Sequence, residues 1–241
     1  MLEIQIKEKP FVLTYIGKET PDVNSFRFTP KDGIMPIFDP GMFVMLEYVN
    51  SETSEKISRA YSIASSPKDP YLEFFITMIH GMFTSHLDTA KIGDIYYVTG
   101  PYGQFRFTPG IDKKVLFLAG GTGIAPFMSM LKYIRHLGYK DDIVLIYSVR
   151  YPNEIIRKNE LEQLEKDLNM KLIVTVTRPS PGDGWTGETG HINPDMIKKH
   201  AQDFAERTVY ICGPLGFVNA MKDSCNALGI DKQKVRADVW G

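Results

Sequence analysis

An arginine, a tyrosine and a serine lie close together in the segment RAYS, at Arg59, Tyr61 and Ser62. The residues that flank them, Ile57 and Ile63, are apolar and typical of a buried strand. A guanidinium group offers a planar fork of N–H donors, a tyrosine offers an apolar face with a polar tip, and a serine hydroxyl can donate or accept. We therefore expect a bound molecule at this strand that uses all three groups, rather than an incidental arginine.

A glycine-rich loop, GGTG at 120–123, joins a predicted strand at 114–120 to a predicted helix at 127–137. Glycine lets the backbone approach a pyrophosphate closely, and the N-terminus of a helix offers free N–H groups and the positive end of the helix dipole. Pro126 suits the first turn of that helix, where its missing N–H is no loss. The loop is a candidate dinucleotide site, although a tight turn without a ligand would have the same pattern.

Two further segments place small or polar residues where a ligand could bind. Cys212 ends a predicted strand and precedes Gly213 and Pro214, so it would face the crevice at the carboxyl ends of the strands. A buried core thiol is the alternative interpretation of this cysteine. In GMFTSHL at 81–87, a glycine precedes a short helix predicted at 84–89, which is a second candidate phosphate site.

The composition argues against several classes of function. The 28 basic and 29 acidic residues leave a formal net charge of −1, which gives no nucleic-acid footprint. The two cysteines, Cys212 and Cys225, form no CxxC pair, so we expect no disulfide scaffold, no four-cysteine cluster and no metal. The N-terminus is charged by residue 3, and the longest charge-free run, 115–131, is broken by glycines and Pro126. We therefore expect a soluble, cytoplasmic protein without a membrane span.

The residue pattern changes near residue 109, and we predict two domains, 1–109 and 110–241. The first contains short strand-like runs separated by turn signals, which is typical of an antiparallel β-barrel. The second alternates apolar strands with helices, which is typical of a doubly wound parallel sheet. Its strands are predicted at 114–120, 142–149, 171–177, 208–212 and 234–240, and its helices at 127–137, 159–168, 194–200 and 215–228. The predicted fold class is a β-barrel followed by an α/β domain.

Taken together, the motifs resemble those of the ferredoxin–NADP reductase family, and the resemblance spans nearly the whole chain. RAYS resembles the flavin motif of the family, and GMFTSHL resembles its pyrophosphate-binding segment, with Thr84 in place of serine. GGTGIAP at 120–126 resembles the nicotinamide-nucleotide loop, and CGP at 212–214 is a third family signature. GPYGQF at 100–105 resembles the end of the flavin domain, and DVW at 238–240 resembles the acidic-x-aromatic ending of many members.

The resemblance implies that the barrel binds FAD. Arg59 would pair with the pyrophosphate, Tyr61 would pack on the isoalloxazine ring, and Ser62 would donate to flavin N5. Trp240, where tyrosine or phenylalanine is common in the family, would stack on the flavin face that nicotinamide must occupy. The implied FAD-binding residues are Arg59, Ala60, Tyr61, Ser62, Ile76, Thr77, Met78, Met82, Phe83, Thr84, Ser85, Thr122 and Trp240.

The resemblance also implies a nicotinamide-nucleotide site in the second domain. We favour NADPH over NADH, because the second strand of this domain ends near Arg150 without an acidic residue and Arg178 follows the next strand. Glu188 argues for NADH, since it would repel a 2′-phosphate if it were close. The implied nucleotide-binding residues are Gly120, Gly121, Thr122, Gly123, Arg150, Arg178, Cys212, Gly213 and Pro214.

We therefore expect an FAD-dependent oxidoreductase that moves electrons between NAD(P)H and a separate one-electron carrier, such as ferredoxin or flavodoxin. Ser62, Cys212 and Asp238 are the candidate catalytic residues, and Asp238 stands where several members of the family carry glutamate. Three alternatives stay open: a flavin reductase with a diffusing flavin substrate, an electron-transfer subunit of a larger complex, and a non-enzymatic protein that keeps the fold. Any iron–sulfur partner would be a separate protein, because a fused [2Fe–2S] cluster needs four cysteine ligands.

Overall fold

Six antiparallel strands form the sheet of the first half of the chain. The strands are β1 (Ile6–Lys18), β2 (Val23–Pro30), β3 (Phe43–Val49), β4 (Lys56–Ser62), β5 (Leu72–Thr77) and β6 (Ile95–Tyr102), and helix α1 (Met82–Asp88) lies between the last two. Their spatial order is β4-β3-β6-β1-β2-β5. The computed structural model describes the backbone of residues 6–50 and 53–240 and the side chains of residues 8–50 and 53–239.

Alternating burial in the strands builds the core of this barrel-like sheet. In β3, Val44, Leu46 and Tyr48 are buried, while the residues between them are partly exposed. This alternation is typical of an antiparallel strand with one face on a core. The two end strands approach each other where the N–H of Ala64 donates to the carbonyl oxygen of Glu73 at 2.8 Å. This contact brings the sheet towards closure and places the end of β4 beside the start of β5.

The second half of the chain forms a sheet of six parallel strands. The strands are β7 (Lys114–Gly120), β8 (Asp142–Val149), β9 (Met170–Val176), β10 (Glu188–Thr189), β11 (Thr208–Pro214) and β12 (Val235–Trp240), and the helices are α2 (Ile124–Leu137), α3 (Lys158–Asp167), α4 (Pro194–His200) and α5 (Leu215–Ala227). The spatial order is β10-β9-β8-β7-β11-β12. In β7 and β8 every residue after the first is buried, because helices cover both faces of the sheet. The carboxyl ends of β7 and β11 lie side by side, with Ala119 paired to Cys212.

The predicted fold class is confirmed, and the differences lie at the ends of elements. The predicted start of α1 at residue 84 is wrong by two residues, because the helix begins at Met82 after an extended Gly81. Strand β10 was not predicted, since two residues are too few to give a period-two pattern. Of the helices in the described ranges, none combines the length and apolar character that a membrane crossing requires.

Candidate functional site

The RAYS strand lines a pocket of about 370 Å³. Arg59, Ala60, Tyr61 and Ser62 form one wall, and the start of α1 at 82–84 faces them. The volume falls within the usual range of small-molecule pockets, about 300–1,000 Å³. Strand β4 is an edge strand of its sheet and is paired with β3 on one side only.

Arg59 and Tyr61 differ in their surroundings within this pocket. The exposed guanidinium group of Arg59 donates to the carbonyl oxygen of Ser58 at 2.7 Å, and no carboxylate of the described residues pairs with it. The Tyr61 ring lies 6.1 Å from the Phe74 ring and 5.7 Å from the Phe83 ring, measured between centroids. Burial raises the pKa of Tyr61 to about 12, so its hydroxyl stays protonated at neutral pH. The strand therefore presents a cation without a carboxylate partner beside an apolar ring with a hydroxyl donor, a donor set that fits a flavin nucleotide.

The turn that leads into α1 is stabilised by hydrogen bonds between Gly81 and the side chain of Thr84. The N–H of Gly81 donates to Oγ1 of Thr84 at 3.0 Å, and the same hydroxyl donates to the Gly81 carbonyl at 3.2 Å. Thr84 is buried, as is Phe83, which packs towards Tyr48 and Tyr61. The hydroxyl that replaces the family's serine thus shapes the turn beside the pocket.

A second and larger pocket, of about 670 Å³, lies at the carboxyl ends of the parallel strands. Gly120, Gly121 and Thr122 line it, and Gly121 has a φ of +55°, a conformation that side chains disfavour. A Cβ atom on Gly123 would lie 2.3 Å from the carbonyl oxygen of Cys212. Only glycine therefore lets the loop backbone lie directly against the end of β11, which shapes this wall of the pocket.

The two pockets adjoin each other and share part of their walls. Thr77, Ile79 and Thr122 line both of them. Thr77 ends β5 of the first sheet, and Thr122 belongs to the glycine loop that follows β7 of the second. The two pockets therefore lie next to each other at the junction between the two sheets.

Arg150 lines the larger pocket, but its charge is already paired. Its guanidinium group lies 2.6 Å from Oε1 of Glu154 and 2.9 Å from Oδ2 of Asp22, and both carboxylates line the same pocket. Arg178 is exposed and does not line the pocket. Glu188 is also absent from the lining and pairs with Lys199 at 2.6 Å. The predicted pair of available cations is therefore not presented to this pocket.

Cys212 and Asp238 are neighbours across β11 and β12, and neither side chain lines either pocket. Cys212 is fully buried, and burial, followed by the nearby Asp238 carboxyl, raises the pKa of its thiol well above the ordinary value. Burial also raises the pKa of Asp238. The thiol is therefore protonated at neutral pH, and the carbonyl oxygen of Cys212 lies against Gly123 of the glycine loop.

The structure thus groups most of the predicted site residues around two joined pockets. Those that line them are Arg59, Ala60, Tyr61, Ser62, Thr77, Met82, Phe83, Thr84, Gly120, Gly121, Thr122, Arg150 and Pro214. Those that do not are Ile76, Met78, Ser85, Gly123, Arg178, Cys212, Gly213 and Asp238. The side chain of Trp240 lies outside the described residues. Ile76 and Met78 are buried in the barrel because alternate residues of a strand point to opposite faces.

Several lining residues were not predicted. Phe75 and Ile79 flank Thr77 at a spacing of two, so strand alternation could have found them. Asp22 carries no local signal, because it reaches the pocket only through the fold, whereas Glu154 lies four residues after Arg150 and pairs with it.

Comparison with known proteins matches two domain families to successive parts of the chain. Residues 10–107 match the oxidoreductase FAD-binding domain, and residues 117–223 match the oxidoreductase NAD-binding domain. The chain is 35% identical over 229 residues to the glycine betaine monooxygenase reductase subunit of Pseudomonas aeruginosa, with 93% of this chain covered. It spans 62% of the length of that relative.

Two further relatives are covered over more of their length. NADH-cytochrome b5 reductase 1 of Aspergillus oryzae is 32% identical over 240 residues, with 93% of this chain and 80% of the relative covered. The cytochrome b5 reductase domain of Ulva prolifera nitrate reductase superposes with a TM-score of 0.83 at 25% identity, with 96% of this chain and 97% of that domain covered. The chain therefore belongs to the ferredoxin reductase-like family of oxidoreductases, with an FAD-binding domain followed by an NAD-binding domain.

Proposed function

We propose that this protein is an FAD-dependent reductase that oxidises NADH and passes the electrons to a separate redox protein. The observation that carries this proposal is the shared wall of the two pockets at Thr77, Ile79 and Thr122. Hydride transfer needs donor and acceptor atoms in contact, at about 3–3.5 Å. Two ligands in pockets that share these wall residues would lie close enough to meet this requirement.

The residues of the smaller pocket suit FAD. When bound, FAD supplies the chemistry of accepting a hydride and releasing electrons one at a time. Arg59 would hold phosphate oxygens, because its guanidinium group has no carboxylate partner in the described structure. Tyr61 would pack against an aromatic ring, and Ser62 would orient that ring by a hydrogen bond. A proton-transfer role for Cys212 or Asp238 is not part of the proposal, since both side chains lie outside the pockets.

The charges of the larger pocket favour NADH over NADPH. Asp22, Arg150 and Glu154 together contribute a net charge of −1, counted as two carboxylates against one guanidinium group. A 2′-phosphate carries close to two negative charges and would be repelled unless Arg150 left both partners. The 2′-hydroxyl of NADH would instead find carboxylate acceptors, as in many NAD sites. The named relative from Aspergillus oryzae is an NADH enzyme.

The electron acceptor is proposed to be a one-electron carrier or an oxygenase component on another polypeptide. The 241 residues contain two cysteines, both buried, so they cannot hold a [2Fe–2S] cluster of their own. Ferredoxin and flavodoxin are the first candidates. A terminal oxygenase is the second, because the relative from Pseudomonas aeruginosa is the reductase subunit of a monooxygenase. We also propose residues 109 and 110 as the domain boundary, since the two family matches end at 107 and begin at 117.

One set of measurements tests the proposed function. The flavin released from denatured purified protein is expected to be FAD in stoichiometric amount, and NADH is expected to reduce it in anaerobic stopped-flow experiments faster than NADPH does. Predominant FMN, or flavin that dissociates and turns over as a substrate, would identify a flavin reductase instead. Protein that cannot be reconstituted with FAD would favour a non-enzymatic role.

A further inference from the structure

A buried carboxylate lies at the centre of an ion cluster between the two domains. Glu73 is fully buried, and its carboxylate oxygens accept from Nε of Arg27 at 2.7 Å, from Nζ of Lys132 at 3.0 Å and from Arg157 at 2.6 Å. Glu19 lies 3.2 Å from Arg157, and Glu160 lies 3.4 Å from Lys132. Three carboxylates thus face three cations in one connected group, which we call the Glu73 cluster.

The members of the Glu73 cluster come from both domains. Glu73, Arg27 and Glu19 fall within the FAD-binding match, and Lys132, Arg157 and Glu160 fall within the NAD-binding match. The pair of Glu73 with Arg27 therefore lies inside one domain. The ion pairs of Glu73 with Lys132 and Arg157 join the two domains.

The cluster is connected to the walls of both pockets by short segments. The hydroxyl of Ser129 donates to the carbonyl oxygen of Ser65 at 2.6 Å, and both residues are buried. Ser129 and Lys132 lie one turn apart on α2, the helix that begins directly after the glycine loop. Ser65 follows the RAYS strand by three residues. We call the larger pocket the nucleotide pocket and the smaller one the flavin pocket. Helix α2 thus links the glycine loop of the nucleotide pocket to the RAYS strand of the flavin pocket.

We propose that the Glu73 cluster sets the separation of the flavin pocket and the nucleotide pocket, and so the distance over which hydride is transferred. Glu73, Lys132 and Arg157 act as positioning residues, since none of them lines either pocket. The kinetic part of this inference rests on the proposed function, whereas the structural part does not.

The physical reason is that a buried ion cluster tolerates few arrangements. A buried carboxylate that loses its partners is strongly disfavoured, so a domain movement that separates Glu73 from Lys132 and Arg157 is costly. An apolar interface would allow the domains to slide with less penalty, because hydrophobic contact is not directional. Burial by itself would raise the pKa of Glu73, but the charges of Lys132 and Arg157 and the hydrogen bond from Arg27 outweigh burial and lower it. Glu73 is thus ionised at neutral pH.

Distances between spin labels on the two domains test the structural part. Lys91→Cys and Lys222→Cys place labels at exposed positions of the FAD-binding and NAD-binding domains, and the native thiols of Cys212 and Cys225 are buried. Double electron–electron resonance on the FAD-loaded protein is expected to give a single narrow distance distribution. Lys132→Met and Arg157→Met are expected to broaden it.

Arg27→Met is the matched control, since it removes a cation at a similar distance from the same carboxylate but within one domain. This control is expected to lower the melting temperature and to keep the distribution narrow. Should Lys132→Met fail to fold because Lys132 is buried, Arg157→Met makes the same test from a half-buried position. An unchanged distribution in Arg157→Met, or equal broadening in Arg27→Met, would overturn the proposal.

The rate of flavin reduction by saturating NADH tests the kinetic part. A displacement of the order of 1 Å can slow a transfer step about 100-fold, so Arg157→Met is expected to lose rate on that scale while KM for NADH changes little. Arg157→Lys, which keeps the cation, is expected to recover most of the rate. A wild-type protein that NADH does not reduce would refute the proposed function, and the spin-label distances would still decide the role of the cluster.

Discussion

The two pockets of this protein share a wall but differ in the groups that line the rest of each. One wall of the flavin pocket is the edge strand β4, where Arg59, Tyr61 and Ser62 supply a charge, a ring and a hydroxyl. The nucleotide pocket contains the glycine loop, whose backbone lies against the end of β11, and the ion pairs of Arg150 with Asp22 and Glu154.

The charges of the two pockets differ in the same way. Arg59 has no carboxylate partner among the described residues, whereas Arg150 is paired with Asp22 and Glu154. An unpaired cation binds a phosphate tightly because no internal ion pair has to be broken first. A paired cation offers little net attraction. We infer that the flavin side is built for retention and the nucleotide side for exchange and selectivity.

The largest effect is expected from Gly123→Ala, which displaces the glycine loop beside the nucleotide pocket. The added Cβ would lie 2.3 Å from the carbonyl oxygen of Cys212, so the loop must move. We expect kcat/KM for NADH to fall about 100-fold with FAD content unchanged, because a displacement of the order of 1 Å can cost that much in rate. Gly216→Ala is the control, because it lines the same pocket and its Cβ would meet no atom within 4 Å. Equal effects of the two substitutions would show that loop packing is not the cause.

Arg59→Ala is expected to have the converse effect. Charge-assisted hydrogen bonds contribute about 1.5–3 kcal/mol each, so the Kd for FAD should rise roughly 10- to 100-fold while KM for NADH in FAD-saturated protein stays the same. Flavin titration of the apoprotein measures this. Arg135→Ala, which removes an exposed arginine paired with Asp167, is the matched control. FAD retention that is unchanged in Arg59→Ala would contradict the proposed division of roles.

The double substitution of Asp22→Asn with Glu154→Gln is expected to make the nucleotide pocket resemble the flavin pocket in charge. Arg150 would lose both ion-pair partners and become available to a 2′-phosphate. We expect the ratio of kcat/KM for NADPH to that for NADH to rise roughly tenfold, in line with one charge-assisted hydrogen bond. Adding Arg150→Ala should abolish the gain. Glu188→Gln, outside the pocket, should leave the ratio as in wild type.

Trp240→Ala tests whether an aromatic ring covers the junction between the pockets. The backbone of β12 pairs Trp240 with Pro214, at the edge of the nucleotide pocket. Stacking of the ring on flavin would contribute about 0.5–1.5 kcal/mol. Removal of the ring should therefore raise the affinity for oxidised nucleotide roughly 2- to 12-fold and slow product release. FAD should stay bound. An unchanged nucleotide affinity together with an unchanged flavin spectrum would remove Trp240 from the site.

The smallest effect is expected from Asp238→Asn and is visible in the pH dependence of stability. Burial raises the pKa of Asp238 in the folded protein above its ordinary value of 3.8. The folded state therefore keeps this proton longer than the unfolded state, and wild-type stability is lost as pH rises through the folded pKa. The variant lacks this loss, so its melting temperature relative to wild type should increase between about pH 4 and neutral pH. A difference independent of pH would contradict this burial.

Much of the fold and part of the site could be predicted from local patterns. The glycines of 120–123 lie between an apolar strand and a helix, and the RAYS residues lie on a strand, so neighbouring residues suffice to recognise each motif. Strand and helix periods likewise depend on residues that are close in sequence. The start of α1, which faces the pocket, was predicted two residues too late. Gly81 and Thr84 exchange hydrogen bonds there that residue type alone does not specify.

Only the tertiary structure decided which charged side chains are paired and which are buried. The sequence places Arg150 at a strand end, which suggests an available cation, but folding brings Asp22 to it from 128 residues away and cancels the charge. In the same way, Glu73 belongs to an ordinary strand pattern until Lys132 and Arg157 reach it from the other domain. Local sequence determines backbone conformation through short-range sterics and periodicity. The electrostatic state of a side chain depends on partners and solvent exclusion through space, which exist only after the chain has folded.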